Sequence, residues 1–343
     1  MVEAFWPMDQ GSHMKSHLDK LLDIVQQDVG SRGLAKLPDN LISRSHGDFK
    51  KACESLAKGT GVVIFTGFYI PTGTPPAPET DGPPGALFIA RTLASLGRKV
   101  TITCEKNCMT AFAASLQHLG MIDKIQLVES PMETAVGYAQ SFFSQLKQIT
   151  GDVSHFIAIE KCGPSHDLKS ISLKDRHSFL NSSAESSRGK ILTMGGKDIT
   201  SHTAPVHLCF EEQFCYANNI IRIGIGDGGN EIGMGKIPWN VIAANINNGA
   251  NIACSTTVDH LIVAGVSNWG GYALGTGLLQ STSNSSLSML DSQAEWEILK
   301  LMVEQGGLID GRLGQKVASV DGIDWKIHSE IIQSLVCASK ETL

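Results

Sequence analysis

Residues 220–236 read I-I-R-I-G-I-G-D-G-G-N-E-I-G-M-G-K, and this stretch restricts the fold more than any other part of the chain. An apolar run rich in β-branched residues stops at six closely spaced glycines. Continuous hydrophobicity without alternation suits a strand covered on both faces, as in a parallel sheet. The glycines supply backbone that turns sharply and lets a ligand approach. Asp227, Asn230 and Glu231 stand among them, where a strand would leave its sheet. Open α/β sheets hold their ligands outside those carboxyl ends.

The remainder of the chain repeats this alternation. Strand patterns fall at 61–66, 99–104, 124–128, 155–159, 190–194 and 258–264. Helical patterns fall at 86–96, 109–119, 205–218, 237–247 and 325–337, with two more at 16–29 and 45–58 forming a helical preamble. Capping boxes, Ser130-Pro-Met-Glu133 and Ser292-Gln-Ala-Glu295, predict helices running to about 149 and 305. The expected fold is α/β: a largely parallel, doubly wound, Rossmann-like sheet with helices on both faces. The Pro- and Gly-dense loop 67–85 separates the first strand from a helix start, which makes an anion site or a rigid structural loop. Residues 265–277 read as a second glycine-rich connection, and the polar run 181–189 as a mobile lid or disordered loop.

A net charge of -6 without runs of one sign argues against nucleic-acid binding, which needs a basic footprint. No apolar stretch approaches the roughly 20 residues that span a bilayer. The eight cysteines lack a C-x-x-C pair and lie mostly in apolar context, so buried reduced thiols and a reducing compartment are expected, without a zinc site. Residues 1–14, ending Gly-Ser-His-Met, read as an expression leader with a cleavage scar, leaving 15–343 as the α/β domain.

If the strands are read correctly, Glu105, Glu160 and Asp227 each follow one and meet along a single sheet edge. Such residues also serve as caps or solvated loop positions. Gly224-Ile-Gly-Asp-Gly-Gly229 matches G-x-G-x-x-G, but no acid follows about 20 residues on and further glycines and Pro238 delay the helix, so a dinucleotide site is disfavoured. Asp227, Asn230 and Glu231 offer hard oxygens to Mg²⁺ or Ca²⁺, or a hold for an ammonium group. No cofactor is assured; either ion is a candidate. Cys162 and His166 pair a thiol with an imidazole, or are a buried hydrophobe and a loop residue. Asp310-Gly311 and Asp321-Gly322 read as turns, and Trp269 as a core side chain.

The central motif 225–236, together with Glu79-Thr-Asp-Gly-Pro-Pro-Gly85 and Gly265-Val-Ser-Asn-Trp-Gly270, resembles the C-terminal domain of the D-glutamate cyclase family. The resemblance runs from about residue 15 to the end. It implies conversion of D-glutamate to 5-oxo-D-proline and water in the mitochondrial matrix, and an N-terminal hydro-lyase-like domain as partner. The alternative is a regulatory module binding a metabolite or Mg-phosphate. Lactam formation needs a base for the ammonium group and an acid for the departing oxygen. Glu160 and Asp227 are the candidates, in either order, with Glu231 or Asn230 holding the amine. Thr80, Asp81, Gly82 and Gly85 are expected to receive a carboxylate, helped by Lys161. Gly228, Gly229 and Asn268 complete the expected substrate contacts.

Overall fold

The computed structural model describes residues 16–282 and 289–340. The leader expected over 1–14 and most of the serine-rich stretch 281–288 lie outside the described residues. Six strands form one parallel sheet: β1 (Gly61–Phe65), β2 (Lys99–Cys104), β3 (Ile125–Glu129), β4 (Val153–Ile159), β5 (Ile221–Gly226) and β6 (His260–Val263). Their order in space is β3-β2-β1-β4-β5-β6. The chain winds outward from β1 one way and from β4 the other, so a crevice opens at the carboxyl ends of these two neighbours.

Strand alternation sorts the side chains into two cores. Val62 and Ile64 of β1 point to one side, against the helices Pro83–Ser95, Ser267–Ser281 and Trp325–Lys340. Val63 and Phe65 point to the other, against Tyr138–Thr150 and Trp239–Asn245. Helices therefore cover both faces, as the unbroken apolar strands require.

Two features bring distant sequence to the crevice. The helix His17–Val25, capped reciprocally by Ser16 and Asp19, ends beside β6, where the Gly265 amide donates to Val25 O at 2.8 Å. The following loop crosses the carboxyl edge of the sheet. There the Asp28 carboxylate accepts the amides of Arg32, Gly33 and Leu34 at 2.8, 2.8 and 3.0 Å, which fixes where Arg32 starts.

The second feature corrects the reading of 265–277. That stretch is no connection but the start of the buried helix Ser267–Ser281. Its glycines let it touch the helix Pro83–Ser95 backbone to backbone: a methyl on Gly271 would lie 2.8 Å from Gly85 Cα. The contact sets both helix N-termini side by side at the crevice.

Other local expectations also shift. Ser130-Pro-Met-Glu133 opens no helix, which begins instead at Tyr138 behind Gly137. The helix Ser292–Glu304 is capped by Asp291, whose carboxylate accepts the Ala294 amide at 2.9 Å, while Glu295 turns inward to pair with buried Arg91. Residues 190–194 make only isolated bridges, Pro164 with Ile191 and Leu192 with Asp198, and add no strand to the sheet. The expected lid is folded: a helix Arg176–Ser182 is followed by a 3₁₀ turn, and the Arg188 guanidinium donates back to Ser183 O at 2.8 Å. All eight cysteines are free and seven are buried.

Candidate active site

Glu160 directly follows β4 and Asp227 directly follows β5, and the Glu160 amide donates to Ile225 O at 3.1 Å. The two acids thus leave neighbouring strands at the same level. Glu160 takes φ of +43°, a backbone state uncommon outside glycine and found where a site imposes it. Carboxylate oxygens of Glu160, Asp227 and Glu231 all lie within 4.8 Å of one another. A second trio, Asp81, Asp227 and Asp321, meets the same limit, so Asp227 belongs to both.

The hydrogen bonds divide these acids by task. Glu231 closes the glycine loop on itself, accepting the amides of Asp227, Gly228 and Gly229 at 2.8, 2.6 and 2.7 Å. Asp81 caps the helix Ser267–Ser281, accepting the Ser267 and Asn268 amides at 2.9 and 2.8 Å. Asn268 returns the cap, its Oδ1 accepting the amides of Gly82 and Gly85 at 3.0 and 2.9 Å. Glu160 accepts only the Ser267 hydroxyl, at 2.6 Å, among the described residues. Asp227 is wholly buried, and among the described residues no hydrogen-bond donor reaches either of its oxygens. Its one ionic neighbour among the described residues is Arg32, whose guanidinium stands 3.2 Å from Asp227 Oδ1 and 2.6 Å from Asp321 Oδ2.

Above this cluster lies a cavity of about 390 Å³, the size of a small-metabolite site. Glu160, Glu79, Asp321 and Arg32 line its acidic wall, with Lys197 and Arg312 also on the lining. Burial pushes the Glu160 carboxyl well above the usual carboxylate range, and the charges of Glu231, Asp81 and Glu79 add to this. Burial does the same to Glu79, reinforced by Asp321 and Asp81. Asp227 is raised well above its ordinary value by burial, with Arg32 opposing. Asp81 is pushed up to about 7 by burial and by Asp321, against the pull of the Asn268 amide and Arg32. Several acids that cannot all ionise together leave protons available near neutral pH.

Of the residues singled out in the sequence, the structure gathers Glu160, Asp227, Glu231 and Asp81 into one cluster. Gly228 and Gly229 lie under it, with their amides taken by Glu231. The amides of Gly82 and Gly85 are likewise engaged by Asn268, so the loop 80–85 holds its anion site closed with the protein's own groups. The Thr80 hydroxyl donates to Ser319 O at 2.7 Å.

Other residues face elsewhere. Lys161 pairs with Glu105 and donates to Gly67 O at 3.2 Å, so Glu105 is drawn off to its own buried ion pair at the end of β2. The Asn230 amide group donates to Leu192 O at 2.8 Å. Cys162 points at Leu192 O while His166 Nδ1 meets Ser170 Oγ at 3.1 Å, so no thiol–imidazole pair forms.

Sequence reasoning missed Arg32, Glu79, Lys197, Arg312 and Asp321. Asp321 reads in the sequence only as a turn residue, and Arg32 sits in a loop that carries no motif of its own. Glu79 opens the motif Glu79-Thr-Asp-Gly-Pro-Pro-Gly85, but no strand end or spacing in the sequence marks it as a site residue.

Comparison with known proteins decides the family. A model described as D-glutamate cyclase-like, C-terminal, matches residues 21–177 and 172–336. The chain belongs to this family. Human mitochondrial D-glutamate cyclase is 28% identical over 353 aligned positions, covering 92% of this chain and 51% of that protein. The chain therefore spans about half the length of this D-glutamate cyclase. Among solved structures, an actinorhodin polyketide ketoreductase with NADPH overlaps 80% of this chain and 90% of its own, at 10% identity and a TM-score of 0.29. No helix among the described residues is long and apolar enough to cross a membrane.

Proposed function

We propose that this member of the D-glutamate cyclase-like family closes D-glutamate to 5-oxo-D-proline, releasing water, in the cavity between β1 and β4. One observation carries the reading. Glu160, with its carboxyl raised well above the usual range, borders a metabolite-sized cavity on which Arg32, Lys197 and Arg312 also stand.

Ring closure forms a bond between the amine nitrogen and the γ-carboxyl carbon and breaks one carbon–oxygen bond of that carboxyl. The ammonium group must lose two protons, and the departing oxygen must gain two. A carboxyl within reach of both atoms can therefore ferry each proton across and end the cycle as it began. In this proposal Glu160 is that group. Burial raises its proton affinity, which favours taking a proton from the amine before handing it to the departing oxygen. Asp227, within 4.8 Å of it but behind Arg32, shares the proton rather than touching substrate. Arg32, Arg312 and Lys197 receive the two substrate carboxylates and offset the charge that builds on the attacked one.

The human relative is mitochondrial by name; the proposed location is the mitochondrial matrix, and the proposed partner, from the family resemblance, is a hydro-lyase-like domain. The test is to incubate this chain with D-glutamate and follow 5-oxoproline by chiral chromatography. Formation above the uncatalysed rate is expected. Absence of turnover, with 5-oxoproline or a Mg-nucleotide binding by calorimetry, would replace the reading with that of a regulatory module.

A further inference from the structure

We infer that Asp81, Asp227 and Asp321 form a binding site for one hard divalent cation of the Mg²⁺ and Ca²⁺ class, set in the wall of the cavity. One oxygen from each carboxylate lies within 4.8 Å of the other two. Oxygens on opposite sides of a Ca²⁺ ion stand about 5 Å apart and those on Mg²⁺ about 4 Å, so this spacing fits the larger ion directly and the smaller after slight contraction.

The trio is more than an acidic cluster. Asp227 is 0% exposed, and no donor in the described protein hydrogen-bonds to either oxygen. The Arg32 guanidinium approaches its Oδ1, at 3.2 Å. A buried carboxylate oxygen left this way is costly unless a cation or proton meets it. Thr66 Oγ1, also 0% exposed, has no hydrogen-bond partner among the described residues either. It lies beside Glu160 at this edge: a methyl on Gly82 would meet Thr66 Oγ1 at 2.9 Å and Glu160 Cβ at 2.7 Å.

The ligand set differs from the one the sequence suggested. Glu231 spends its oxygens on three amides of its own loop, and the Asn230 amide group points to Leu192 O. Asp81 Oδ1 accepts the Gly82 and Asn268 amides, but Oδ2 accepts only the Ser267 amide and keeps a lone pair for a metal. Arg32 spans Asp227 and Asp321, two of the three ligands, so guanidinium and metal compete for the same oxygens. An ion seated there would release Arg32 toward the cavity that it already lines. The site stands whether or not the chain cyclises D-glutamate, and its test needs no substrate.

The experiment is calorimetric titration of the chelator-treated full chain with Ca²⁺ and, separately, Mg²⁺, alongside thermal unfolding at rising ion concentration. One equivalent is expected to bind and to raise Tm with concentration. Asp227→Asn and Asp321→Asn are each expected to weaken binding by at least about tenfold. Arg32→Met is expected to tighten it, because the competing charge is gone. Failure of both ions to bind or to shift Tm at millimolar concentration overturns the inference. So does binding that survives both Asp substitutions unchanged. Should Asp227→Asn fail to fold, the Tm response of the native chain and of Asp321→Asn still decides.

Discussion

The Arg32 guanidinium stands 3.2 Å from Asp227 Oδ1, joining a residue of the N-terminal loop to one at the end of the fifth strand of the sheet. Through this contact the helical preamble acts on the site: it delivers the guanidinium that pairs with both Asp227 and Asp321.

Arg32→Met in the metal-free chain is therefore expected to cost about 3 kcal/mol of stability near neutral pH, since breaking a buried ion pair strands the remaining charge. Urea unfolding at pH 7.5 and at pH 5 would measure it. The loss should shrink at the lower pH, where the stranded acids take up protons. An equal loss at both would contradict the electrostatic account.

Asp81 gives a pH dependence of definite sign. Its carboxyl is raised from its ordinary value to about 7 in the folded chain. Between those values the native state binds more protons than the unfolded state, so stability falls as pH rises through the window. Glu79, Glu160 and Asp227 are raised in the same direction. Thermal unfolding without divalent ions should show Tm declining from pH 5 to pH 8, and Asp81→Asn should flatten part of that slope. A Tm that rises over this range would refute the assignment.

Gly271→Ala tests the contact that sets the two helix N-termini side by side. The added methyl would lie 2.8 Å from Gly85 Cα, where backbone cannot give way as a side chain can. A cost of about 1–3 kcal/mol is expected from such overpacking. Gly97→Ala makes a poor control because its φ of +72° adds strain of its own, so a surface Ser→Ala change is preferable. A neutral Gly271→Ala would mean the helices are free to separate.

Asp81 and Asn268 cap each other's helices across this contact, so their effects should not add. Each Ala substitution is expected to cost about 1–2 kcal/mol. The double variant should lose less than the sum, by at least about 0.5 kcal/mol. Strict additivity would indicate two independent caps.

These relationships explain what the sequence could and could not reveal. The parallel sheet was legible because strands buried on both faces are apolar throughout, as in Gly61–Phe65 and Ile221–Gly226. Glu160 and Asp227 were legible because strand ends in such a sheet share an edge. The helix Ser267–Ser281 was not, because glycines that permit backbone contact between helices look, in one dimension, like glycines that break them. Ser130-Pro-Met-Glu133 carried the residues of a cap without the helix behind it. Arg32 and Asp321 come from irregular loops, where no periodicity relates a residue to its partner. Only the folded chain brings them together.

The central claim is that Glu160 carries protons between substrate atoms at this cavity. The direct measurement is kcat for 5-oxoproline formation from D-glutamate by the native chain and by Glu160→Gln, with D-glutamate binding followed by calorimetry. A loss of about 100-fold or more in kcat, with binding little changed, is the expected result. Turnover by Glu160→Gln at the native rate would contradict the account.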